Sequence, residues 1–162
     1  EFKGNIGMFL VCAEISKLNL IALPTSRNTK GYDILVMNPD TNKATGIQVK
    51  CTNKRDYPIL SSHFDDWEST IKAKILCDFV FVDISIPDKP GYFIASDTEL
   101  GDLLKSSVRK YVERYCRNNQ TTLEQVIQKE RAEKRKPNLW TLKLAEIESF
   151  RNKWQTLTDR LR

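Results

Sequence analysis

The sequence predicts an α/β chain, and three observations carry that expectation. Residues 32–37 and 44–52 are two strand-like runs joined by the turn-rich segment Asn38-Pro39-Asp40-Thr41-Asn42-Lys43. Cys77 to Ile86 (Cys-Asp-Phe-Val-Phe-Val-Asp-Ile-Ser-Ile) is a third, strongly apolar strand-like run. Helical patterns open the chain from Asn5 to Asn19 and close it from Ala145 to Leu161.

The opening helix carries Ile6, Phe9, Leu10, Ala13 and Leu18 near helical spacing, with Asn5 as its expected N-cap. Glu14 lies beside that apolar stripe; taken alone it reads as a surface glutamate within reach of Lys17. Asn19 to Pro24 is a short first strand stopped by its proline. A polar loop, residues 25–31, then leads to Asp33, with Gly31 free to take a backbone shape closed to other residues. In the run from Ala44 to Thr52, alternation sets Ile47, Val49 and Cys51 on one face and Gln48, Lys50 and Thr52 on the other. The first of these faces reads as core.

Residues 53–58 form a basic loop containing Lys54 and Arg55. Asp65 to Leu76 is expected as a helix, with Trp67, Ile71 and Ile75 along one side. After the run ending at Ile86, residues 87–91 make a turn and Tyr92 to Ala95 its hairpin partner. Ser96 or Asp97 then caps a helix through Leu104. Arg109 to Lys136 is rich in charge and expected as helix in pieces. The alternating signs of Lys129 to Lys136 suit either a solvated helix face or a basic arm over a nucleic acid. Asn138 to Leu144 alternates as a last strand, and Ile147, Phe150, Trp154 and Leu157 give the closing helix its apolar stripe.

At 162 residues the chain has the size of one domain with a real core: residues 5–104 as the core, 105–137 as a charged helical segment, 138–162 as a closing strand and helix. The net charge of +5 lies wholly in the second half. Residues 1–83 hold ten basic and ten acidic side chains, and residues 84–162 sixteen and eleven. A basic half suits a phosphate partner. Cys12, Cys51, Cys77 and Cys116 are too far apart for a zinc knuckle or redox pair, so free thiols in a reducing compartment are expected. His63 is the single histidine, which excludes a His-based catalytic pair or zinc site. No apolar run approaches the ~18 residues that span a bilayer, and no secretory pattern opens the chain. A cytoplasmic protein without membrane contact is expected.

Asp33 at the start of one strand, then Gln48-Val49-Lys50 on the next, resembles the PD-(D/E)XK nuclease superfamily of restriction endonucleases and Holliday-junction resolvases. Their pattern is an acid, then acid-X-Lys on the next strand, often with a Glu on the preceding helix. Asp33 matches the first acid, Lys50 the lysine and Glu14 the helix glutamate, while Gln48 stands in the second acid's place. The resemblance implies a central mixed sheet with helices on both sides, a restriction-endonuclease-like core. It also implies a nuclease cutting DNA with Mg²⁺ or Mn²⁺. Asp33, the Gln48 side-chain oxygen and the Val49 carbonyl would then ligate the ion. Glu14 would hold a water or second ion, and Lys50 would orient the attacking water or offset charge at the phosphorane.

The physics fits that division of labour, since a cation lowers the pKa of a bound water and offsets charge at a phosphate. One anionic ligand fewer at Gln48 weakens metal affinity, because hard cations favour charged oxygens. Arg27, Lys30, Lys54 and Arg55 are the basic side chains expected against a nucleic-acid backbone. Cleavage of both strands would suit a homodimer. Two alternatives stay open: a catalytically degraded module of the same fold that binds nucleic acid without cutting, and a protein-interacting subunit whose basic half meets an acidic partner.

Overall fold

The computed structural model describes residues 2–25, 31–60, 64–68, 72–75, 77–86, 88–132 and 139–162. The chain begins with α1 (Phe2–Lys17), β1 (Ile21–Pro24), β2 (Ile34–Met37) and β3 (Ala44–Thr52). It continues through β4 (Asp56–Leu60), β5 (Phe64–Glu68), β6 (Lys72–Ile75), β7 (Asp78–Asp83) and β8 (Gly91–Ala95). There follow α2 (Asp97–Asn119), α3 (Leu123–Ala132), β9 (Leu139–Lys143), α4 (Leu144–Ile147), a 3₁₀ turn at Glu148–Phe150, and α5 (Gln155–Arg160). Five strands form one sheet in the order β1-β2-β3-β7-β8; β4 pairs with β9, and β5 with β6. Contacts divide the chain into two units. One comprises Glu1–Pro58, Cys77–Ser96 and Thr141–Arg162; the other comprises Ile59–Leu76 and Asp97–Trp140.

In the first unit β1, β2 and β3 run as an antiparallel meander, β3 pairs parallel with β7, and β7 pairs antiparallel with β8. This is an α/β arrangement with a mixed sheet flanked by helices, as the sequence predicts. β7 sits between two paired neighbours, and all six of its residues are buried. That explains its nearly unbroken apolar run. On one face Ile34, Val36, Ile47, Val49, Val80, Val82 and Ile94 pack with Val11 and Ile15 of α1 and with Leu157 and Leu161 near the C-terminus. On the other face Phe81 meets the edge of the Tyr57 ring, with centroids 5.2 Å apart, and Phe93 lies 4.5 Å beneath the Arg151 guanidinium.

Two contacts fix the layers. A Cβ on Gly7 would lie 2.3 Å from Cys51 Cβ, so only glycine lets α1 rest this closely on β3. At the other end Arg160 Nε stands 3.1 Å from Oδ2 of the fully buried Asp78, an ion pair rather than an aligned hydrogen bond. Asn38 Nδ2 and Thr41 Oγ1 donate to Leu161 O at 3.1 and 2.7 Å, tying the β2–β3 turn to the C-terminus.

In the second unit β5 and β6 form an antiparallel ladder, α2 packs on β6, and α3 packs on α2. Here the structure departs from the expected helix at Asp65 to Leu76. Residues 65–68 and 72–75 are strands paired with each other, so Trp67 and Ile75 stand on different strands, and residues 69–71 and 76 lie outside the described residues. The helix expected to stop at Leu104 runs on as the 23-residue α2 to Asn119, and with α3 after it the segment from Arg109 to Ala132 is helix in pieces as expected, residues 133–136 lying outside the described residues. The expected closing helix is instead three short elements. Asn152 takes a left-handed backbone (φ 53°), and Arg151 bridges to Phe93 as an isolated strand pair. Asn5 is not a cap, because α1 begins at Phe2. None of the described helices is long and apolar enough to cross a membrane.

Gly7→Ala is expected to lower stability by roughly 1–3 kcal/mol in denaturant melts, the usual cost of overpacking. Gly4→Ala, where a Cβ meets nothing within 4 Å, is expected to be neutral or stabilising by up to about 1 kcal/mol through helix propensity. Arg160→Ala, which removes an ion-pair partner of a buried carboxylate, is expected to cost roughly 3 kcal/mol.

Candidate active site

β2 begins at Ile34, opposite Ile47, whereas β3 runs on to Thr52. The part of β3 from Gln48 onward therefore has its β2-side edge beyond the paired stretch. Asp33 stands at that corner. Its backbone N–H donates to Ile47 O at 2.8 Å, and the side chain then takes over from the ladder. Asp33 Oδ2 accepts from Val49 N at 2.8 Å and from the Gln48 amide nitrogen. Backbone groups of alternate residues face the same neighbour, so the Val49 carbonyl looks toward the same corner. From the opposite side Thr25 N donates to Asp33 O at 2.9 Å, and Thr25 Oγ1 donates to Tyr32 O at 2.9 Å. Tyr32 in turn lies over Gly46, where a Cβ would come within 2.6 Å of its ring.

A half-open cavity of about 450 Å³ adjoins this corner. Asp33, Gln48, Val49, Lys50 and Thr25 line it, together with Gly4, Asn5, Met8 and Phe9 of α1. The parallel register sets Gln48 beside Phe79 and Lys50 beside Phe81, so the two polar side chains share one face of the sheet. Gln48 is buried and Lys50 half-buried. Burial pushes the Asp33 carboxyl up from its ordinary value, partly offset by the Val49 N–H and the Lys50 charge. Burial likewise pulls the Lys50 ammonium down, against the opposing pull of Asp33. Each charge is thus costly here and cheaper with the other present.

Asp33, Gln48, Val49 and Lys50 are brought together as the sequence pattern anticipates. Glu14 is not brought with them: it pairs with Lys17 Nζ at 2.7 Å and does not line the cavity, whose helical wall is made by Gly4, Asn5, Met8 and Phe9, nearer the start of α1. Arg55 stands by Asp83, with Nε 3.7 Å from Oδ2, and Lys54 is exposed; neither lines the cavity. Arg27 and Lys30 lie outside the described residues, as does His63. Thr25, Asn5, Met8 and Phe9 were not legible as site residues. Phe9 was the one with a signal, an aromatic side chain on the helical stripe that is nevertheless 61% exposed.

Asp33, the Val49 carbonyl and, after a half-turn of its amide, Gln48 are the oxygens at this corner that could hold a hard divalent cation. They comprise one carboxylate and two neutral oxygens, and magnesium commonly keeps waters and takes one or two carboxylates besides a substrate phosphate. In the observed rotamer Gln48 presents nitrogen, not oxygen, to Asp33. A half-turn of that amide would exchange them. Among the described residues no cluster of three or more His, Cys, Asp or Glu side chains stands ready for a metal.

The raised Asp33 pKa fixes a sign. The folded state holds this proton more tightly than the unfolded chain, so stability falls as pH rises from the ordinary carboxyl value of 3.8 through the folded one. Asp33→Asn keeps an acceptor for Val49 N–H and removes the buried charge. It is expected to melt higher than wild type at pH 7, with the gain vanishing near pH 3.8. An equal or lower melting point at pH 7 would contradict this. Comparison with known proteins supplies no relative: no family model, curated protein or solved structure matches the chain.

Proposed function

We propose that the chain is a metal-dependent phosphodiester hydrolase acting on DNA, with a restriction-endonuclease-like core. The observation that carries this reading is the meeting of the Asp33 carboxyl, the Gln48 amide, the Val49 carbonyl and the Lys50 ammonium at one half-open cavity. Asp33, the Val49 carbonyl and the Gln48 amide oxygen would hold Mg²⁺ or Mn²⁺. When bound, the ion would offset charge at the scissile phosphate and make water a better nucleophile. Lys50 contributes a cation whose hydration is already reduced, which strengthens its pull on a phosphate oxygen. Thr25 and the Val49 N–H hold Asp33 in place, so little reorganisation is needed at the moment of reaction.

A second reading is favoured by one specific contact. The Gln48 amide and Val49 N–H both donate to Asp33 Oδ2, and a carboxylate met by amide donors rather than by a second acid is what a binding module of this fold would keep. Glutamate at position 48 would instead set two carboxylates together, and their repulsion would call for a cation.

Plasmid and oligonucleotide cleavage with Mg²⁺ and with Mn²⁺ tests the two. Wild-type cleavage is expected, falling roughly 100-fold or more in Asp33→Ala and in Lys50→Ala, with folds matched by circular dichroism. Gln48→Glu is expected to lower the metal concentration needed. Cleavage that survives Asp33→Ala would overturn the assignment. Silence of both wild type and Gln48→Glu, with salt-dependent DNA binding, would select the binding module.

A further inference from the structure

We infer that the C-terminal half of α2 is a second nucleic-acid surface, one that takes a single strand along a row of cations flanked by tyrosines. From Lys105 to Asn119 the helix carries five cations against one carboxylate, Glu113. Glu113 is engaged by Arg109 at 2.9 Å. Lys110, Arg114 and Arg117 follow at spacings of four and three, which lines them up along about 10 Å of helix. All three are exposed. Tyr111 and Tyr115 form the adjacent row, 47% and 41% exposed. Arg114 lies over the Tyr111 ring, with Cζ 5.9 Å from the centroid.

A solvated helix of ordinary composition would intersperse acids along such a row and keep large aromatic rings inward. Here the row itself holds no acid and two rings face outward. Cations spaced along a helix meet phosphates by charge, and exposed rings offer stacking faces to unpaired bases whatever their sequence. A duplex hides those faces, so the tyrosines favour a single strand over a double helix. The surface lies in the unit that does not contain Asp33. It shares the nucleic-acid class with the proposed hydrolase and does not depend on the hydrolytic site.

The test is fluorescence anisotropy of a labelled oligothymidine of about 16 nucleotides against the full chain in EDTA, with a duplex of equal length alongside. Wild type is expected to bind the single strand more tightly than the duplex. The triple variant Lys110→Gln, Arg114→Gln, Arg117→Gln is expected to lose at least tenfold in affinity. The slope of log affinity against log salt should become shallower by about 2, at roughly 0.7 for each phosphate that is no longer neutralised. Tyr115→Ala is expected to lose about fivefold or more with the slope unchanged. The assay runs in EDTA and reads binding alone, while cleavage is measured separately with Mg²⁺, so failure of this surface and failure of the hydrolytic reading are told apart. Circular dichroism confirms that the helix persists in each variant. No binding by wild type, or a triple variant that binds as tightly as wild type, would overturn the inference. Equal affinity for duplex together with a silent Tyr115→Ala would overturn the single-strand assignment.

Discussion

A carboxylate taken out of water needs donors, and the corner where β2 gives way to β3 is built around supplying them to Asp33. The ladder ends one residue beyond β2 with the Asp33 N–H on Ile47, and the side chain then bonds Val49 N and the Gln48 amide. Thr25 holds the same residue through its backbone carbonyl. The charge of Lys50 offsets part of the burial penalty on Asp33, and Asp33 does the same for Lys50. For Asp33 the burial penalty outweighs that offset, so its charge stays costly even with Lys50 beside it. The corner is polar, part-buried and held from several sides, an arrangement that costs stability and is common at functional sites.

The scaffold that holds this corner depends on close approach. Gly7 brings α1 against Cys51 and Val49, and the same helix then delivers Gly4, Asn5, Met8 and Phe9 to the cavity wall. At the far end of the sheet Asp78 and Arg160 join the first residue of β7 to the last helix. Between them the parallel β3–β7 pair sets Gln48 and Lys50 in register with Phe79 and Phe81. The polar site thus rests on an apolar strand that is buried on both sides.

Much of this was legible in the sequence where a single period governs a segment. The run from Ala44 to Thr52 forms one strand, and its alternation separates Ile47 and Val49 from Gln48 and Lys50. An acid directly before Ile-Leu-Val at a sheet centre calls for a cation or donors, and Asp33 has the Val49 N–H and the Gln48 amide as donors. Legibility failed where tertiary pairing decides. Trp67 and Ile75 keep a helical spacing yet stand on β5 and β6, whose pairing with each other spacing along the chain does not reveal. Glu14 was placed on the right helix, but which turn of α1 reaches the cavity depends on the contact at Gly7, which spacing along one helix does not reveal. The break at Asn152 follows from the bridge between Arg151 and Phe93, residues far apart in the chain.

The central claim is that Asp33 is a lone, part-buried carboxyl held by amide donors, for which a divalent cation competes. The most direct measurement is an NMR titration of the Asp33 carboxyl carbon with and without Mg²⁺. The account predicts a metal-free midpoint above 3.8 and a fall when Mg²⁺ is added. A metal-free midpoint at or below that value, or one that Mg²⁺ leaves in place, would contradict it.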